Sequence, residues 1–231
     1  MNPIKNIGIW GDSLLKGIVF DEENGKYRPL KQCCVNLFGK LFPITIKNNS
    51  RFGCTAPKAL QNLKSSLSKG FHSDVALLEF GGNDCDFNWV EVSKDPMKEH
   101  IPHTPLASFS QTMIEMIESL IRNSIKPVLM NLPPIDAERY FNWISHLPNV
   151  EPKNLLIWLK EKEVIYRQQE RYSKEIERIA YTNCLPLIDV RGPFLAERGF
   201  KDYLCVDGIH LNQKGHELMC GVFSNYVRAY V

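Results

Sequence analysis

The sequence predicts an α/β fold, a three-layer α/β/α sandwich built on a parallel sheet. Three observations lead there. Five short apolar runs recur along the 231 residues. Amphipathic stretches at helical spacing separate them, and the runs stop at turns rich in Gly, Pro or Asn. The runs are apolar throughout instead of alternating, as strands covered on both faces should be.

Residues 4–10 form the first run, ending at Gly11. Residues 43–47 form the second and lead into Asn48-Asn49-Ser50. The third, residues 75–80, is stopped by Gly81-Gly82. The fourth, residues 128–132, follows Pro127 and is stopped by Pro133-Pro134. Residues 185–190, before Gly192-Pro193, form the fifth. Between the last three, Met113, Met116, Ile117, Leu120 and Ile121 repeat on one helical face that closes at Lys126-Pro127. Leu155, Leu156 and Leu159 begin another helix, with Pro152 near its first turn. Ile165, Tyr172, Ile176 and Ile179 continue one face among Arg, Gln and Glu, and a last helix runs from about Lys214 to the C-terminus. Residues 85–105 and 133–150 fit no core element. Both leave the C-terminal ends of expected strands, where open α/β sheets place ligands. Their aromatics (Phe87, Trp89; Tyr140, Phe141, Trp143) read either as pocket walls or as extra packing.

Residues 1–231 are expected to form a single domain, with 44% hydrophobic and 23% charged residues suited to a soluble core. A net charge of +2 without any basic run gives no reason to expect nucleic acid. No window approaches the roughly 18 apolar residues of a membrane span, and residues 1–8 lack the apolar stretch of a signal peptide. Seven cysteines, with an adjacent pair at Cys33-Cys34 and no C-x-x-C spacing, fit a reduced, cytoplasmic chain better than a disulfide framework.

The chemistry-bearing residues cluster at one edge of the expected sheet. Ser13, in Gly11-Asp12-Ser13-Leu14, falls just past the first strand. Ser or Asp there can cap the next helix, or the hydroxyl can act as a nucleophile near free N–H groups. Asp207-Gly208-Ile209-His210 precedes the last helix. A nucleophilic serine needs a base, and the base needs a carboxylate on its second nitrogen. A three-residue separation lets Asp207 reach Nδ1 of His210 while Nε2 faces Ser13. The alternative is an Asp-Gly turn with a solvated histidine. Gly81-Gly82-Asn83-Asp84, after the third strand, offers close backbone approach and an amide able to donate to an oxyanion. It also suits a plain glycine turn. Gly53, after the second strand, could supply a further N–H. Serine, base, orienting acid and oxyanion donors together make a complete acyl-transfer set.

These blocks, in this order, resemble the SGNH hydrolase superfamily, also called GDSL esterases/lipases. The matching residues are Gly11-Asp12-Ser13-Leu14, Gly53, Gly81-x-Asn83-Asp84, and Asp207-x-x-His210 followed by Asn212 and Gly215. The resemblance implies a flavodoxin-like sheet of five parallel strands in the order 2-1-3-4-5. It implies ester hydrolysis by Ser13, His210 and Asp207 through an acyl-enzyme, with no cofactor and no metal. It further implies an oxyanion hole of the Ser13 and Gly53 N–H groups and the Asn83 amide. Leu211 stands where many members have proline, at a position that shapes a turn. Gly-x-Ser-x-Gly is absent, which argues against a nucleophile elbow.

Other candidates are weaker. His100-x-x-His103 spans Pro102 and has no cysteine or carboxylate cluster at zinc spacing. Asp84-x-Asp86 could ligate a cation, but Asp84 reads better as a brace for its loop, and Asp12 likewise as support for Ser13. His216 packs or caps, and Cys54 and Cys85 flank the site without an evident base partner. The expected substrate is a small-molecule ester with a short acyl group, possibly an acetylated saccharide, since aromatic loops suit a sugar ring. The alternatives are a lipase or thioesterase acting on longer chains, and a non-catalytic carbohydrate-binding module.

Overall fold

The computed structural model describes residues 4–230. In chain order its elements are β1 (Asn6–Trp10), α1 (Ser13–Lys16), β2 (Ile18–Asp21), β3 (Lys26–Pro29), α2 (Cys34–Leu41) and β4 (Thr45–Asn48). They continue with α3 (Ala56–Ser68), β5 (Val75–Leu78), α4 (Trp89–Lys94), α5 (Leu106–Arg122), β6 (Lys126–Met130) and α6 (Ala137–Ser145). The last are α7 (Pro152–Leu159), α8 (Glu163–Thr182), β7 (Leu187–Ile188), α9 (Arg191–Ala196), a 3-10 turn (Phe200–Tyr203) and α10 (Gln213–Tyr230). The helix expected to reach the C-terminus is thus seen to Tyr230, and Val231 lies outside the described residues.

Five parallel strands pair in the order β4-β1-β5-β6-β7, which is 2-1-3-4-5 among the sheet strands. Successive side chains of a strand point to opposite faces, and here both faces are covered. Trp10, Ala76, Leu78 and Leu129 meet Leu63 of α3, Met113 and Leu120 of α5, and Tyr172 and Ile176 of α8. Ile9, Val75, Leu77, Val128, Met130 and Ile188 meet Val35 and Phe38 of α2, Phe194 of α9 and Met219 and Phe223 of α10. This double burial is why the strands read as unbroken apolar runs. It is the three-layer α/β sandwich that the sequence predicts.

The strands are shorter than their apolar runs. At the sheet edge β7 keeps only Leu187 and Ile188, because the next N–H groups are drawn away: those of Val190 and Arg191 donate to Asn131 Oδ1 at 2.8 and 3.1 Å. The helical face expected from Leu155 onward is divided at Lys160, whose φ of 67° ends α7 before α8 starts. The β2–β3 hairpin is unforeseen. It pairs Phe20 with Tyr27 and turns through Asn24-Gly25, where Gly25 has φ 61° and Asp21 accepts from the backbone and side chain of Asn24. The two stretches without expected structure hold α4 and α6. With α7 and the start of α8 they form a third apolar cluster that includes Trp89, Tyr140, Phe141, Ile144, Leu159 and Ile165.

Candidate active site

Beyond β1 the chain passes close to the end of β5. A Cβ at Gly11 would lie 2.7 Å from Glu79 Oε2 and 3.2 Å from Ser50 Oγ, so glycine is required for that approach. Asp12 then caps α1, its carboxylate accepting from the Leu14 N–H at 2.8 Å. The cap and the nucleophile readings therefore fall to different residues. With Asp12 as cap, the hydroxyl of Ser13 faces His210, and Ser13 Oγ lies 2.8 Å from His210 Nε2.

The other side of the imidazole meets Asp207, with Nδ1 2.6 Å from Oδ2. Asp207 Oδ1 accepts the N–H groups of Ile209 and His210, each at 3.1 Å, which fixes the carboxylate within its own turn. Gly208 allows that turn with a φ of 75°. Asp207 is fully buried. Burial alone would push its carboxyl up. The hydrogen bond and charge of His210, with the two backbone N–H groups, outweigh burial and hold it below the usual carboxylate range. Serine, imidazole and carboxylate thus form one hydrogen-bonded chain of the kind acyl transfer by serine requires.

The remaining blocks meet at the same edge. Asn83 donates its amide to Asp12 Oδ2 at 2.8 Å and makes a longer 3.4 Å contact to the Cys54 carbonyl. Gly53 is exposed, with φ 64°, and a Cβ there would touch nothing within 4 Å. Its glycine answers to backbone conformation, not to crowding. Asp84 accepts from the N–H groups of Ala56 at 2.9 Å and Gly81 at 3.2 Å, tying the loop after β5 to the start of α3. Burial pushes the Asp84 carboxyl up to about 6. Glu79 completes the cluster and accepts from the Asp12 N–H at 3.1 Å. Burial first, then the charge of Asp12, raise it well above the carboxylate range.

The weaker candidates are accounted for differently. His100 Nε2 meets the Asp95 carbonyl and His103 Nδ1 the Asn83 carbonyl, and no metal-ligating cluster occurs among the described residues. Asp86 accepts from Trp89 Nε1 at 2.8 Å and Tyr140 at 2.6 Å. Cys54 and Cys85 are buried free thiols, as are four of the other five cysteines.

The family model for GDSL-like lipases/acylhydrolases matches residues 9–218. The chain belongs to this family. A GDSL-like acylhydrolase is by class a carboxylic-ester hydrolase. Among solved structures it is similar to a lipase/acylhydrolase from Enterococcus faecalis, at 18% identity and a TM-score of 0.69 over 98% of this chain and 96% of that one. A G-D-S-L family lipolytic protein from Veillonella parvula gives 14% identity and a TM-score of 0.67 over 98% and 100%. A psychrotrophic esterase from Pseudoalteromonas sp., inhibited by monoethylphosphonate, gives 16% and 0.60 over 98% of both chains. At these identities the likeness is one of fold. No curated protein sequence matches the chain.

Three further residues of this GDSL-like acylhydrolase touch the site without having been singled out by sequence. Glu79 is the carboxyl described above. Tyr27 donates to Asp207 Oδ2 at 3.0 Å, and Phe52 stacks on the His210 ring at 6.1 Å between centroids. Only Tyr27 had a nearby signal, the Asn-Gly turn of its hairpin. Ser13 opens into a cavity of about 450 Å³. Residues 85–105 and 133–150 both line it, through Phe87, Trp89 and His103 and through Pro133, Trp143 and Ile144. Leu147, Leu159, Val164 and Ile165 also line it. No helix among the described residues is long and apolar enough to cross a membrane.

Proposed function

We propose that the protein hydrolyses esters with an apolar acyl chain through an acyl-enzyme on Ser13. The observation that carries this is the hydrogen-bonded chain Ser13–His210–Asp207 beside a cavity whose lining combines aliphatic and aromatic side chains with a smaller polar share. His210 takes the Ser13 proton as Oγ attacks the ester carbonyl. The oxyanion is met by the N–H groups of Ser13 and Gly53 and by the Asn83 amide, which Asp12 holds in orientation. Collapse expels the alcohol with the proton from His210, and water repeats the sequence to release the acid.

Acetylated saccharides have less support than the sequence alone offers them. Trp89 and Phe87 are buried and pack edge-on against each other and Trp158, which gives them a packing role of their own. Trp89 Nε1 and Tyr140 also spend their polar groups on Asp86. A 450 Å³ space lined by Ile144, Leu147, Leu159 and Ile165 favours a chain longer than acetyl. The test is a nitrophenyl ester series from acetyl to decanoyl, run beside Ser13→Ala. Rates should climb beyond acetyl, and Ser13→Ala should lose at least about a thousandfold. Fastest turnover of acetyl would overturn the chain-length reading, and an active Ser13→Ala the nucleophile.

A further inference from the structure

Tyr27 belongs to β3, outside the five-stranded sheet, yet its phenol reaches a carboxylate 180 residues away in sequence. The oxygen it meets is Asp207 Oδ2, the same atom that lies 2.6 Å from His210 Nδ1. Its ring sits 5.0 Å from the imidazole at a 55° tilt, while Phe52 stacks on the imidazole nearly parallel, at 13°. Phe20, its partner across the hairpin, and Trp143 of α6 hold the phenol ring, at 5.2 and 6.1 Å between centroids.

We propose that Tyr27 is a positioning residue for the Ser13–His210–Asp207 site: its hydroxyl holds Asp207 Oδ2 in place and takes up part of the carboxylate charge. The inference rests on the nucleophile assignment above. Asp207 Oδ1 is tied to two N–H groups of its own turn, but among the described residues Oδ2 has only the imidazole and the phenol. In a fully buried carboxylate, each donor withdrawn leaves more charge directed at the remaining partner. The phenol remains a donor at every working pH, because burial and the adjoining Asp207 charge hold it protonated well above the ordinary tyrosine range. The ionisable groups around His210 are Asp207 and Cys205 from its own turn, Asp12 at α1, Tyr27 on β3 and His216 on α10. Of these, Tyr27 can lose its hydrogen bond with no change of formal charge and little change of shape.

Tyr27→Phe is therefore the informative variant, since it keeps the ring contacts to His210, Phe20 and Trp143. The readout is the pH dependence of kcat/KM with one ester, which reports the base in the free enzyme. An Asp207 that no longer shares its charge favours the protonated imidazole, so the acidic limb should move to higher pH by about half a unit. At pH values above that limb, kcat should fall at least about threefold with KM changed less than about twofold. A purely structural tyrosine would shift the melting temperature and leave the limb in place. A limb that stays put or moves down, with Ser13→Ala inactive, overturns the role of Tyr27 alone. An active Ser13→Ala overturns the assignment on which that role depends.

Discussion

Around Ser13 the hydrogen bonds of Glu79, Asp12 and Asn83 form a hierarchy. Glu79, its carboxyl pushed up by burial, receives the Asp12 N–H. Asp12 then has one oxygen for the Leu14 N–H and one for Asn83. Asn83 is thereby held in one orientation, its amide nitrogen on Asp12 Oδ2 and the Cys54 carbonyl. That orientation has a measurable consequence. Asn83→Ala removes the amide proposed above as an oxyanion donor while leaving serine, imidazole and Asp207 untouched, so kcat should fall about a hundredfold or more with KM nearly constant. Steady-state kinetics on the preferred ester checks it. A loss below about tenfold would leave Asn83 as a partner of Asp12 and nothing more. Gly-Asp-Ser and Asp-x-x-His are legible in the sequence because each is a local pattern with a local job. Tyr27 and Glu79 are not, since their partners are brought to them by the fold.

Elements were legible to the extent that burial is periodic. Both faces of the sheet are covered, so β1, β5 and β6 stand out as apolar runs, and the six buried positions of α5 repeat at helical spacing. The hairpin offers much less. Its strands have four residues each, and β3 is Lys-Tyr-Arg-Pro, with three of its four positions exposed. Short loops likewise conceal what they join. The turn carrying Asp207 and His210 docks on the start of α6 through Gly208, whose carbonyl accepts from the Asp136 N–H at 2.8 Å. A Cβ at Gly208 would lie 2.6 Å from the Asp136 carbonyl oxygen and 2.9 Å from the Tyr140 nitrogen, and the residue has φ 75°. Gly208→Ala combines left-handed strain with backbone overlap and should destabilise the fold by about 2–4 kcal/mol. Urea unfolding measures that loss. Activity should fall as well, because the same turn aims the imidazole. A variant as stable and active as the parent would mean that the turn and α6 are free to separate.

At the scale of the whole molecule, two apolar layers enclose ionisable groups that pull stability in opposite directions with pH. Asp84 is raised from 3.8 to about 6, so its contribution is present below 3.8 and is lost as pH rises through 6. His216, fully buried on α10, is shifted the other way. Burial, and then the charge of His210, lower it from 6.5 to about 4. Its Nδ1 accepts from the Cys34 N–H at 3.4 Å, and its Nε2 has no partner among the described residues. Between pH 6.5 and 4 the unfolded chain binds a proton at this position that the folded chain refuses, so stability falls as pH falls through that window. The full effect of such a shift is on the order of 3 kcal/mol. His216→Gln keeps an acceptor for the Cys34 N–H and cannot be protonated. Urea unfolding at pH 7 and pH 4.5 isolates its contribution, because Asp84 and the other carboxylates are common to both proteins. The loss of unfolding free energy on going to pH 4.5 should be smaller in the variant by about 2 kcal/mol. Equal losses in the two proteins would place the acid sensitivity elsewhere, and would mean that the core around α2 and α10 admits a charged imidazole at little cost.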